Sequence, residues 1–181
     1  MGRARQAFGG TARALAGTAA LVLAGCGSDS AESLGLLCPD AAIVGELSKL
    51  SRFGGQAATP DALAFYGEIV GVTGNCAYDD DIVAVELQVS SVFDRPPGGP
   101  AVTEPVPYFV AVTRPDGAVV GKQELTIPVE FRDGEIRAGF SDEVTVELPL
   151  PGGRATGGDY RIYLGFQLTQ AELDYNRRAA P

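Results

Sequence analysis

From Val83 to Ser90 the chain alternates strictly. Val83, Val85, Leu87 and Val89 are apolar, and Ala84, Glu86, Gln88 and Ser90 fall between them. A period of two over such a length is that of a β-strand with one face in a core and the other toward water. It excludes an amphipathic helix, whose apolar positions recur every three or four residues.

The same period returns along the chain. Tyr108, Val110 and Val112 begin a strand that Pro115-Asp116-Gly117 turns into the next, a hairpin signal because Pro presets one turn dihedral and Gly accepts the other. Leu125, Ile127, Val129 and Phe131 alternate with Thr126, Pro128, Glu130 and Arg132. Pro128 has no N–H, which places this strand at a sheet edge. Asp133-Gly134 is another turn, followed by Val144, Val146 and Leu148. The last strand is expected through Tyr160, Ile162, Leu164, Phe166 and Leu168, with Arg161, Tyr163, Gly165 and Gln167 on its other face. Upstream, Leu63 to Gly74 reads as a long strand whose Gly67, Gly71 and Gly74 mark bulges or close backbone approach. Cys76 to Asp81 reads as a tight connection, and Ala41 to Leu50 as an edge strand or a short helix. Thr169-Gln170-Ala171-Glu172 has the spacing of a capping box ahead of a helix over 170–178, with Arg177 and Arg178 suited to its C-terminal end. About seven strands bounded by turn residues predict one antiparallel β-sandwich with a short C-terminal helix, with a small open β-barrel as the alternative.

The N-terminus follows a different pattern. Arg3, Arg5 and Arg13 precede an apolar run from about Ala14, which ends in Leu23-Ala24-Gly25-Cys26. A basic start, a short apolar core and small residues form a secretory signal, and the run has roughly half of the ~20 residues a spanning helix needs. Leu-Ala-Gly-Cys resembles the lipobox of bacterial lipoproteins. That resemblance implies cleavage between Gly25 and Cys26, lipidation of Cys26 and anchorage to a bilayer, where two acyl chains hold firmly and one holds marginally. Residues 1–25 are then the signal, 26–37 the lipidated N-terminus and tether, and 38–181 the sandwich domain with its helix. The tether from Gly27 to Leu37 would reach about 35–40 Å when extended. Gly27 is not aspartate, which by the sorting rule of enteric lipoproteins points to the outer membrane, facing the periplasm.

Two further likenesses bear on the fold. Gly157-Gly158-Asp159-Tyr160 resembles the tyrosine corner of immunoglobulin-like and fibronectin type III domains, although the chain has no tryptophan. The whole pattern is also similar to small uncharacterised proteobacterial lipoproteins with an immunoglobulin-like domain. In these a cysteine pair brackets the first strands and the chain ends as here in Phe166-Gln167-Leu168-Thr169, a helix and Tyr175-Asn176-Arg177. This implies a fold and brings no activity with it.

If Cys26 carries lipid, Cys38 and Cys76 remain as an even pair in an oxidising compartment. A Cys38–Cys76 disulfide is expected. Loss of residues 1–25, with three arginines and no acid, takes the net charge from −9 to −12. So acidic a chain lacks the basic patch that nucleic acid requires, and a monomer with a membrane anchor and an envelope protein partner is expected.

Chemistry has few carriers here. The sequence contains no histidine, which removes Ser-His and Cys-His pairs and nearly all zinc sites. No cofactor, no metal ligand set and no catalytic residue is assigned. Asp79-Asp80-Asp81 could offer oxygens to calcium but lacks the spacing of a calcium loop, and reads better as an acidic turn. Tyr163 alone is a poor sugar platform. Leu173 is expected to lay the terminal helix on its own domain. Glu68, among Tyr66, Ile69 and Val70, is the one acid expected on a strand buried on both faces. These readings favour a non-catalytic accessory protein-binding domain of the envelope. A periplasmic ligand-binding or inhibitor module and, less well supported, a carboxylate-dependent hydrolase are the alternatives.

Overall fold

In a computed structural model describing residues 37–55 and 58–179, two four-stranded sheets face each other. Eight strands form where about seven were expected: β1 Asp40–Ile43, β2 Lys49–Phe53, β3 Leu63–Tyr78, β4 Ile82–Asp94, β5 Val102–Thr113, β6 Val119–Phe131, β7 Arg137–Pro149 and β8 Arg161–Phe166. The helix, α1, spans Gln170–Ala179. One sheet has the order β1-β8-β5-β6 and the other β2-β3-β4-β7. Every pairing is antiparallel except β1 with β8. The fold is a sandwich and no barrel closes. Its order differs from the ABED and CFG sheets of immunoglobulin constant domains.

The alternating residues meet as their pattern requires. Val83, Val85, Leu87, Val89 and Phe93 of β4 face Val106, Tyr108, Val110 and Val112 of β5, and all are buried. Rings interlock at one end, with Phe93 lying 6.2 Å from Phe65 and 6.0 Å from Phe166. Gly67 makes room for this cluster, because a Cβ there would stand 2.6 Å from the Phe93 ring.

A bulge in β3 decides where the disulfide forms. Ile69 pairs with Ser91 but Gly71 pairs with Ser90, so Val70 is extra. One extra residue shifts the strand's side-chain phase. Before the bulge Phe65, Gly67 and Ile69 face inward. After it Val72, Cys76 and Tyr78 pack on the core, and Val70 is left exposed. Cys76 then meets Cys38, with Cα atoms 5.8 Å apart in the Cys38–Cys76 disulfide.

Several boundaries move from those expected. β3 runs through Cys76 to Tyr78, so the tight connection shrinks to Asp79–Asp81. Ala41 to Leu50 contains a strand, a 3-10 turn over Gly45–Leu47 and the start of a second strand. β8 stops at Phe166, and Leu168 packs on the core from outside the strand. β6, with Pro128, is an edge strand as predicted. Tyr160 behaves as a tyrosine corner does, donating its hydroxyl to the Pro149 carbonyl at 2.7 Å.

Candidate functional site

A strand at a sheet edge carries unpaired backbone groups, and proteins cover or blunt such edges. This sandwich has four edges, formed by β1, β2, β6 and β7. The first two lie on one side, where α1 covers the edge of β2 and the four-residue β1 is held at its entrance. Asn176 of α1 donates to the Lys49 carbonyl of β2 at 2.8 Å and accepts from the Ser51 hydroxyl at 3.3 Å. Tyr175 stacks edge-on against Phe53 at 5.0 Å. The helix lies on its own domain, held through Glu172, Tyr175, Asn176 and Arg177 more than through the expected Leu173. Its capping box is formed: the Thr169 N–H donates to Glu172 Oε2 at 2.8 Å and the Glu172 N–H donates back to Thr169 Oγ1 at 3.3 Å. Glu172 is buried and also accepts from Arg52 Nη1 at 2.8 Å. Arg52 Nε lies 2.9 Å from Glu104 of the opposite sheet, close enough for an ion pair but off-line for a hydrogen bond. The β1 edge is pinned beside the disulfide, where Tyr78 donates to the Leu37 carbonyl at 2.6 Å.

Among the described residues nothing covers the other side, between β6 and β7. At its centre Tyr108, fully buried on β5, donates its hydroxyl to Asp142 Oδ2 of β7 at 2.6 Å. Burial, with Asp142 second, pushes the Tyr108 phenol well above its ordinary range. The other oxygen of Asp142 accepts the Glu143 N–H at 2.9 Å. Two clefts flank this pair. One, of about 380 Å³, is lined by Phe93, Val129, Ala138 and Phe140. The other, of about 340 Å³, reaches Val110, Val112, Val146, Leu148 and Tyr160, with Arg114, Lys122 and Glu147 among its walls.

Bond parity along β7 follows from its two ends. The Arg95 N–H donates to the Ile136 carbonyl and the Leu150 N–H donates to the Asp81 carbonyl. In an antiparallel ladder this makes the even-numbered residues of β7 those bonded to β4. The N–H and C=O groups of odd-numbered residues, Arg137 to Glu147, therefore point to the free edge. Asp142 satisfies one of them, the Glu143 N–H. On the outer face beside this edge, Glu86 stands opposite Thr145, and thus diagonal to Glu143 and Glu147. All three carboxylates are exposed. A shallow furrow of about 470 Å³ crosses this face past Thr73, Asn75, Glu86, Gln88 and Glu143.

The residues singled out in the sequence lie apart from this side. Gly25 and Cys26 fall outside the described residues, as do the leucines at 34 and 36. Asp79 Oδ1 caps the Asp80 N–H at 2.9 Å and Asp80 pairs with Arg154 at 3.2 Å, so these acids serve their own turn. Among the described residues no three acid, histidine or cysteine side chains gather as a metal would need. Glu68 is not buried on both faces. It shares the outer face with Tyr66, which donates to it at 3.4 Å, and the exposed Val70 shows that this face is open. Burial, and then Glu68, pushes the Tyr66 phenol up to about 12. Tyr163 lies exposed on β8.

Sequence reasoning missed Arg95 and Asp142. The Arg95 guanidinium donates to the carbonyls of Gly99, Pro100, Arg132 and Glu135, and stacks 4.7 Å from the Phe131 ring. It fastens the Pro96–Pro100 loop to the β6–β7 turn at one end of the open side. No signal at the sequence level marks carbonyl acceptors. Asp142 did leave a trace, being an acid at an inward position of a strand that otherwise alternates.

No family model, curated protein or solved structure matches this chain.

Proposed function

We propose that this chain is a lipid-anchored, non-catalytic accessory domain of the bacterial cell envelope that works by holding a protein partner. The observation that carries the binding role is the asymmetry of the sandwich. On its β1–β2 side α1 covers β2 and the disulfide staples the entrance, while on the β6–β7 side two long edge strands are left uncovered among the described residues. The anchor rests on Leu23-Ala24-Gly25-Cys26 after a basic start and a short apolar run. Outer-membrane placement, facing the periplasm, rests on Gly27. The non-catalytic reading is supported by the absence of histidine from the sequence. It is supported too by the engagement of Asp142, both of whose oxygens are occupied, with a phenol that burial makes a poor acid.

The cleft behind Val146 and Tyr160, with an apolar floor and charged walls, favours a second reading, a periplasmic module that binds a small ligand. One experiment addresses both. Full-length protein and the Cys26→Ala variant are compared in native envelopes by intact mass, fractionation and crosslinking. Acyl mass on Cys26, membrane retention lost in the variant and a crosslinked protein partner are expected. A mature protein without acyl groups ends the anchor reading. A co-purifying small molecule with no protein partner favours the ligand-binding module.

A further inference from the structure

We propose that the free edge of β7 is a strand-addition site for an extended, basic segment of a partner protein. This rests on the protein-binding reading above and names where and how that binding occurs. Strand addition needs an unpaired, accessible and proline-free edge. β2 fails because α1 occupies its backbone, and β6 is the poorer edge because Pro128 removes one of its donors. β1 has only four residues. β7 runs without proline from Arg137 to Leu148, and its odd-numbered backbone groups point outward. The charge beside it selects the occupant. Glu86, Glu143 and Glu147 lie on the face that alternate side chains of an added strand would extend. Arg137, at the far end, is already paired with Asp94 at 3.2 Å. A second copy would bring Glu143 close to its own counterpart in an antiparallel register, whereas lysines and arginines would stand beside Glu143 and Glu147, with Glu86 one strand further in. Asp142 fits the same picture: its hold on the Glu143 N–H interrupts the edge against indiscriminate pairing, and an incoming strand must displace it.

The test uses the full chain in detergent, with a peptide of alternating valine and lysine long enough to span β7. A valine–glutamate peptide serves as control, and amide exchange is followed residue by residue. The lysine peptide should slow exchange at Gly139, Ser141 and Thr145 by about tenfold or more, leaving β6 amides unchanged. Replacing Glu86, Glu143 and Glu147 together by Gln should weaken binding about tenfold and flatten its salt dependence. These side chains are exposed, so the fold should survive. Ser141→Pro, which removes one outward donor, should abolish the effect.

The proposal is overturned if protection falls on β6 or is absent at saturating peptide. It is equally overturned if the glutamate peptide binds as well, or if protection grows with protein concentration alone, the mark of a second copy. Photocrosslinkers placed at Thr145 and at Thr126 of β6 separate this proposal from the broader one. Capture of an envelope protein from Thr126 alone removes the β7 site and leaves a protein-binding domain standing.

Discussion

Ser91 sits between Val89 and Phe93 on the inward face of β4, buried, with no partner for its hydroxyl among the described residues. An unsatisfied buried hydroxyl costs about 1–3 kcal/mol. Ser91→Ala should therefore stabilise the domain by about 1 kcal/mol, seen as a higher urea midpoint at unchanged slope. A lower midpoint would show that the hydroxyl has a partner after all. Two tyrosines set the alkaline limit. Tyr66 is pushed from 10.0 to about 12 and Tyr108 is raised as well, each first by burial. A group whose folded pKa lies above its unfolded one lends stability that is complete below the unfolded value and is lost as pH rises through the folded one. Stability should hold to pH 10 and fall between there and about 12. Phenolate absorbance should rise in step with loss of the β-sheet signal, and full ionisation of all tyrosines in an intact fold would contradict the assignment. Such residues are hard to read in advance. Alternation shows that position 91 faces inward, but the partners of a hydroxyl or a guanidinium are set by loops brought together from distant parts of the chain.

Elements were more legible than residues, and for physical reasons. Pro128 marked β6 as an edge because a missing donor is a local fact, and Thr169 with Glu172 marked the start of α1 because a capping box is local too. The bulge at Val70 was hidden. Its effect is a change of phase, visible only once Ser90 and Ser91 are known to pair across from it. The covering of β2 by α1 was hidden as well, since it joins Lys49 and Ser51 to Asn176 across most of the chain. That covering turns on Glu172, which caps α1 and pairs with Arg52 while itself buried. Breaking a buried pair from one side leaves an uncompensated charge and costs about 3 kcal/mol. Glu172→Gln should lose about that much in urea unfolding, tempered by Glu104, which stays beside Arg52. Glu46→Gln, which removes an exposed partner of Arg177, should leave the midpoint almost unmoved. An equally small effect from both changes would mean that α1 is held by Asn176 and Tyr175 without help from the buried pair.

At the scale of the molecule, the disulfide and the open side face away from each other, one behind the β1–β2 side and the other between β6 and β7. Cys38 enters just before β1 of one sheet and Cys76 lies in β3 of the other, so the bond ties the sheets together where the chain enters the domain. It closes a span of 38 residues. On the chain-entropy account, cross-linking a loop of that length stabilises the fold by about 4 kcal/mol. β1 itself has little else to hold it: four residues paired in parallel to β8 at a sheet edge. The Cys38→Ser, Cys76→Ser double variant should therefore lose about 4 kcal/mol overall. The loss should also be uneven. Amides of β1 should exchange quickly under native conditions while the β4–β7 ladder, paired along its whole length, stays protected until global unfolding. Residue-resolved exchange on the oxidised protein and the double variant measures both effects. Uniform loss of protection across β1 and β4 would show that the bond acts only on the unfolded chain. Retained protection in β1 would show that pairing with β8 suffices to hold the entrance strand in place.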